Sequence, residues 1–301
     1  MKKGFYLVLI TAIISGLANF FNKFAMSVVG KDSFQYTTLK NILVALVLSL
    51  VILSPWIFRK LKLLEIKDWL NLALIGLIGG SIPFLLFFKG LSLTSSTSAS
   101  FIHKTLFVWV AILAWPFLKE KVSWWQFVAL GVLLYGNMVF EGFKGLSWGL
   151  AETLILLATL FWATETVIVK KTLFKLDSLV VAWGRMFFGA WFLLGFLWLT
   201  NDLSGLTNLN SVQWSWLLLA SILLTAYVIT WYRGLKMMPA TLTACILVLA
   251  SPVTTILNSV FVTHKLLAVE KFMGLIIILG GVACILIFEK KFLVKKIIQE
   301  N

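Results

Sequence analysis

The 301-residue chain is 60% hydrophobic and only 13% charged. A soluble domain of this size needs far more charge to cover its surface, so the composition excludes an ordinary water-soluble fold and points to the bilayer as solvent. The net charge of +14 does not signal nucleic acid, because the lysines sit at the ends of apolar runs rather than in one basic patch.

The first apolar run, 5–28, follows Lys2-Lys3 as a signal peptide would. Its length and the runs behind it make it an uncleaved first span. Further spans are expected at 34–56, 69–88, 95–116, 124–142, 148–169, 178–199, 213–232, 240–262 and 270–288. Each approaches the ~20 residues needed to cross the hydrocarbon core. The connections leave no room for a soluble domain. Lipid offers the backbone no partners, so the runs are expected as helices, and they are too long and uninterrupted for a barrel. Pro83 and Pro252 lie deep in spans three and nine, where each predicts a kink or a gating hinge. Gly76 and Gly80 in span three suit close helix contact. The expectation is an all-α integral membrane protein with ten transmembrane helices.

A repeat divides this array. The segment 107–136 resembles 252–281 at a shift of 145 residues, with a long apolar run, a charged break, and a second run with a late glycine. The halves are 1–145 and 146–301. Of the 26 Lys and Arg residues, 17 fall at one set of span ends, five at the other and four inside spans. That asymmetry places both termini in the cytoplasm, and five spans per half make the repeats inverted. Such repeats suit a secondary transporter with a midplane site and alternating access.

Ionisable groups inside spans are costly and mark candidate sites. Lys104 is the deepest cation; Lys40 and Arg185 lie six or seven residues into their spans, and Lys23 can snorkel. Glu165 is placed to neutralise Lys104 or Arg185, to pair with the Lys170-Lys171 boundary, or to carry a coupling proton, and the sequence does not rank these. Glu152 lies near a span end. His103 points about 100° away from Lys104. Neutral polar residues form three helical stripes: Thr11, Ser15, Asn19 and Asn22; Ser96, Ser100 and Lys104; Ser251, Thr255 and Asn258. Each stripe fits either a cavity lining or interhelical hydrogen bonding. Trp109, Trp162 and Trp231 lie deep enough to pack against a solute. Four cations against Glu152 and Glu165 favour an anionic or zwitterionic small-molecule solute. Cys245 and Cys284 read as small buried hydrophobes, and neither His103 nor His264 has ligand spacing, so no metal or other cofactor is expected. No GxxxxGK[ST] segment is present, and all four aspartates (Asp32, Asp68, Asp177, Asp202) lie at span ends, which argues against ATP drive and against an intramembrane enzyme.

Several short segments then carry a resemblance. They are Phe161-Trp162-Ala163, Gly184-Arg185, Met238-Pro239-Ala240-Thr241, Ser251-Pro252, Gly274 and Gly281 in the second half, with Lys119-Glu120-Lys121-Val122 and Gly136 in the first. In this arrangement the chain resembles the EamA-type family of the drug/metabolite transporter superfamily, over about residues 5–288. The resemblance implies a ten-helix inner-membrane carrier, commonly an exporter of amino acids or other small metabolites; carriers of nucleotide sugars or lipid-linked solutes are the alternative within the superfamily. The first half departs from the pattern. Leu17 stands in the position of Trp162, Lys40 in that of Arg185, Phe107 in that of Pro252, and Lys265 in that of Glu120. Lys104 has no charged counterpart.

Overall fold

Apolar runs that must bond their own backbone become helices in the computed structural model, which describes residues 2–94, 96–120, 123–142 and 148–300, without side chains at 96, 97, 204, 205 and 288–300. The Ser96 side chain, Lys121, Val122, Lys144 and the side chains of the terminal lysines from 290 onward lie outside the described residues. The first half contains α1 (Lys2–Val29), α2 (Ser33–Ile52), α3 (Pro55–Leu61), α4 (Ile66–Gly80), α5 (Ile82–Leu91), α6 (Ser96–Lys104), α7 (Leu106–Leu118) and α8 (Trp124–Glu141). The second contains α9 (Leu150–Lys175), α10 (Ser178–Leu199), α11 (Ser211–Met237), α12 (Ala240–Leu247), α13 (Ala250–Asn258) and α14 (Val269–Glu300). Among the described residues no strand occurs.

Nine segments are long and apolar enough to cross a membrane among the described residues. The expected fifth span, α8, is not one of them, because Gln126, Asn137 and Glu141 dilute its 18 residues. It nevertheless packs along α14, which is one of the nine. The second span stops at Ile52, short of the expected 56. Pro55 lacks an N–H and opens the separate helix α3 with Ser54 before it.

Three spans are broken. The third divides between α4 and α5 at Ser81 (φ −134°, ψ −70°), two residues before Pro83. The ninth divides between α12 and α13 at Val248-Leu249, just before Pro252. The fourth divides at Thr105 with no proline to announce it. Thr105 falls on Ala250 under the 145-residue shift, the residue next to the Val248-Leu249 break, so the breaks in spans four and nine lie at closely matching places.

The packing repeats in the same way. Helix α1 lies against α11 and against α12 and α13; its counterpart α9 lies against α4 and α5 and against α6 and α7. Each half thus seats its first helix on the third and fourth spans of the other. The seam of α8 and α14 is self-complementary, as a two-fold contact must be. A Cβ on Gly136 would lie 3.0 Å from the Ile278 nitrogen, and one on Gly281 would lie 3.2 Å from the Leu133 nitrogen. Positions 133 and 278 are again 145 apart. Along α4, Gly76 and Gly80 meet α10 at Phe188 and Gly189, which is the close contact their spacing predicts.

Gly136→Leu forces atoms into the α8–α14 seam, whereas Gly131, on the same helix, has open space around its Cα. Gly136→Leu is expected to cost about 1–3 kcal/mol, and Gly131→Leu less than ~0.5 kcal/mol. Thermal unfolding in detergent compares the two; equal melting temperatures would mean that the seam is not packed as described.

Candidate functional site

The site begins with a proline. In an unbroken helix the residue at 83 would donate its N–H to the carbonyl of Gly79, but Pro83 has none. The break at Ser81 also leaves the Gly80 carbonyl free. Both are taken by side chains from other helices. Arg185 Nη2 on α10 and Trp162 Nε1 on α9 donate to Gly79 O at 2.9 and 3.1 Å. Asn41 Nδ2 on α2 donates to Gly80 O at 3.3 Å. An unpaired carbonyl in a dry interior costs several kcal/mol, so these donors hold the break in place.

Arg185 then carries the arrangement further. Its Nε lies 3.5 Å from Glu165 Oε1, an ion pair without a hydrogen bond, and both side chains are buried. The same carboxylate oxygen accepts a very short hydrogen bond from the Tyr232 hydroxyl of α11. Glu165 therefore pairs with Arg185. It pairs neither with Lys104 nor with Lys170, whose Nζ donates instead to Leu235 O and Met238 O, 2.7 Å each.

Around this cluster lies a cavity of about 550 Å³ between the two halves. Nine candidate residues from the sequence line it: Lys104, Glu165, Arg185, Lys40, Asn19, Ser100, Trp162, Thr255 and Asn258. Trp109 does not. It is turned toward the helix break, where its Nε1 donates to Thr105 Oγ1 at 3.1 Å, and it packs on the hydrophobic core. Depth along a span does not say which way a side chain faces, and Trp109 lies on the outer side of that register. Trp231 lines the cavity. The stripe residues Ser15, Asn22 and Ser251 line it too, while Thr11 is fully buried and bonds within its own helix to Leu7 O.

Glu141, the last residue of α8, was not singled out. Its Oε1 accepts 2.9 Å hydrogen bonds from Ser100 on α6 and Ser251 on α13, joining spans four and nine. Among the described residues no carboxylate lies within ion-pair distance of the Lys104 ammonium, and Glu141 influences it only at longer range. At the end of an apolar run it reads as a solvated terminal charge, and only the fold turns it inward. The signal available in sequence was the pair of serine stripes that need an acceptor. Lys23 is exposed, and Glu152 bonds Thr94 and the Gly149 N–H, so neither belongs to the cavity. The cavity charges are therefore Lys40, Lys104 and Arg185 against Glu141 and Glu165. One wall is aromatic: Phe84, Phe87 and His103 surround Trp162 with ring centroids 4.9–5.7 Å from it.

The cavity occupies one end of the bundle. It takes the second half of α1, the first half of α2, and the terminal residues Leu91 of α5 and Glu141 of α8. The other end, where α1 begins, is sealed. Glu120 accepts the Ala240 and Thr241 N–H groups at 2.6 and 3.1 Å and the Thr241 hydroxyl at 2.9 Å, capping α12 with a carboxylate. Lys170 ties the end of α11 to α9 as above, and Lys236 donates to Leu176 O at 2.9 Å. Between α9 and α10, Asp177 pairs with Lys60 at 2.7 Å. Burial disfavours the Asp177 charge, but the Lys60 ammonium and the Leu179 N–H outweigh it and hold the carboxyl below the usual carboxylate range.

Comparison with known proteins agrees with this architecture. The model of the EamA-like transporter family matches the chain twice, at residues 2–140 and 149–287. A protein named uncharacterized transporter from Clostridium kluyveri is 26% identical over 294 residues, covering 93% of this chain and 92% of its own. Another of the same name from Archaeoglobus fulgidus is 26% identical over 195 residues, covering 61% and 65%. A solved crystal structure superposes with a TM-score of 0.77 over 95% of this chain at 17% identity, which speaks to the fold alone.

Trp162→Phe removes one of two donors to Gly79 O and is expected to cost about 1 kcal/mol. Arg185→Met removes the other donor and strips Glu165 of its cation, for an expected cost of about 3–5 kcal/mol. Denaturation midpoints in detergent measure both; if Arg185→Met cost no more than Trp162→Phe, the buried ion pair would not be formed.

Proposed function

The chain belongs to the EamA-like transporter family, and from that premise we propose that it is a secondary transporter of small polar metabolites that works by alternating access between its two halves. The observation that carries this reading is the cavity itself. It is polar, lies between the repeats, is walled by ionisable groups that lipid would not tolerate, and is closed at one end by a dedicated set of hydrogen bonds. Its volume suits a metabolite rather than a macromolecule.

The direction in the membrane follows from charge. Lysine and arginine gather at the end where α1 begins, so that sealed end faces the cytoplasm and the cavity faces outward in an inner membrane. The two ends differ in one residue with a mechanical role. Glu120 caps α12 at the cytoplasmic seal, and its counterpart in the second half is Lys265. A cation cannot accept from the N–H groups at a helix N-terminus, so Lys265 does not supply the cap that Glu120 does. Transport then requires the Glu120 cap to open and the outer end to close by other contacts. A net positive cavity suits export of anionic or zwitterionic solutes, amino acids among them.

A solute screen in proteoliposomes tests the reading, with Lys104→Ala and Glu165→Gln beside the wild type. Wild type is expected to exchange a small solute, and each variant to lose at least about tenfold in rate. If both transported normally, the site assignment would be wrong although the family stands. The seal has its own readout, because Cys245 on α12 is fully buried. In a Cys284→Ser background, Glu120→Ala is expected to speed maleimide labelling of Cys245 from the cytoplasmic side. Unchanged labelling would remove the seal from the cycle. A reporter fused to the C-terminus is expected to report the cytoplasm.

A further inference from the structure

The two halves hold their equivalent cations in opposite ways. In the second half Arg185 is met by Glu165, which is met in turn by Tyr232. The same three positions of the first half, 145 residues earlier, are Lys40, Phe20 and Phe87. The acid and the phenol have both become phenyl rings. Lys40 keeps the cation's place, lines the cavity, and is 5% exposed. Among the described residues it has no carboxylate partner. Its nearest acceptor is Asn22 Oδ1 at 3.4 Å, which already receives the Tyr36 hydroxyl at 2.7 Å, and the Tyr36 ring centroid lies 5.1 Å away.

The other two cavity cations each lie in the field of a carboxylate: Arg185 is paired with Glu165, and Lys104 feels Glu141 at longer range than an ion pair. A desolvated ammonium without a counter-ion is unfavourable, and a ligand that brings the missing charge removes that penalty on binding. Another wall of the same cavity, with Phe87 and Phe84 packed on Trp162, offers apolar ring surface.

We propose that Lys40, with Asn22 beside it, is the anion site of the cavity, and that the transported solute is a monocarboxylate with an apolar or planar body that lies on the Phe84, Phe87 and Trp162 wall. This rests on the transport reading and narrows it. A zwitterion would also need a free carboxylate for its ammonium, and Glu141 already accepts hydrogen bonds from Ser100 and Ser251.

The test is calorimetric titration of the purified full-length protein with phenylacetate, its neutral isostere phenylacetamide, and benzylamine. Wild type is expected to bind phenylacetate at least about tenfold more tightly than phenylacetamide, and benzylamine least. Lys40→Met is expected to abolish the preference, Lys40→Arg to retain it, and Lys23→Met, outside the cavity, to leave it unchanged. Lys40→Arg guards against a folding failure of the methionine variant. Equal binding of the acid and the amide by wild type, a preference that survives Lys40→Met, or no binding of the acid overturns the proposal. Flux of labelled phenylacetate in proteoliposomes separates the two readings. Selective binding without flux sinks transport and keeps the site. Flux of a neutral solute that Lys40→Met leaves intact sinks the site and keeps transport.

Discussion

A helix that spans lipid cannot leave a carbonyl unpaired, and Pro83 leaves one. The partners that repair this loss come from other spans: Arg185 from α10 and Trp162 from α9 for Gly79, with Asn41 from α2 for Gly80. A local defect in one helix therefore locks four spans together. It also brings a guanidinium into the middle of the bundle, which then requires Glu165, and Glu165 in turn engages Tyr232. The polar centre of the molecule grows outward from one missing N–H.

The second organising feature is a symmetry that is kept in packing and relaxed in chemistry. The α8–α14 seam repeats its glycine contacts on both sides, and the breaks at Thr105 and Val248-Leu249 lie within two residues of each other under the repeat. The polar side chains at the two ends and in the cavity are not bound by that symmetry. Glu120 caps α12 while its counterpart is a lysine, and Arg185 is balanced while Lys40 is not. Equivalent packing with unequal polar groups is what the proposed alternating access would draw on.

Hydrophobic periodicity and length made the helices legible, because a bilayer imposes both. Boundaries failed where local chemistry intervened. Pro55 cut span two short and began α3, and α9 runs on through the Lys170-Lys171 pair to Lys175. The cavity was largely legible too, since polar residues at helical spacing have few other uses in lipid. Trp109 and Glu141 mark the limit. Trp109 sits at the right depth on the wrong side, and Glu141 sits at a span end that the fold turns inward.

What the sequence determined by itself was the solvent, the rough extent of the apolar runs, the repeat and the set of ionisable groups. Each depends on composition or on spacing along one helix. Which carboxylate meets which cation was decided only in three dimensions. Glu165 was open to Lys104, Arg185 or the Lys170 boundary, and the choice of Arg185 follows from how α9 and α10 cross beside the break in the third span. Ion pairs between spans depend on helix rotation and crossing, and no periodicity within a single helix encodes those.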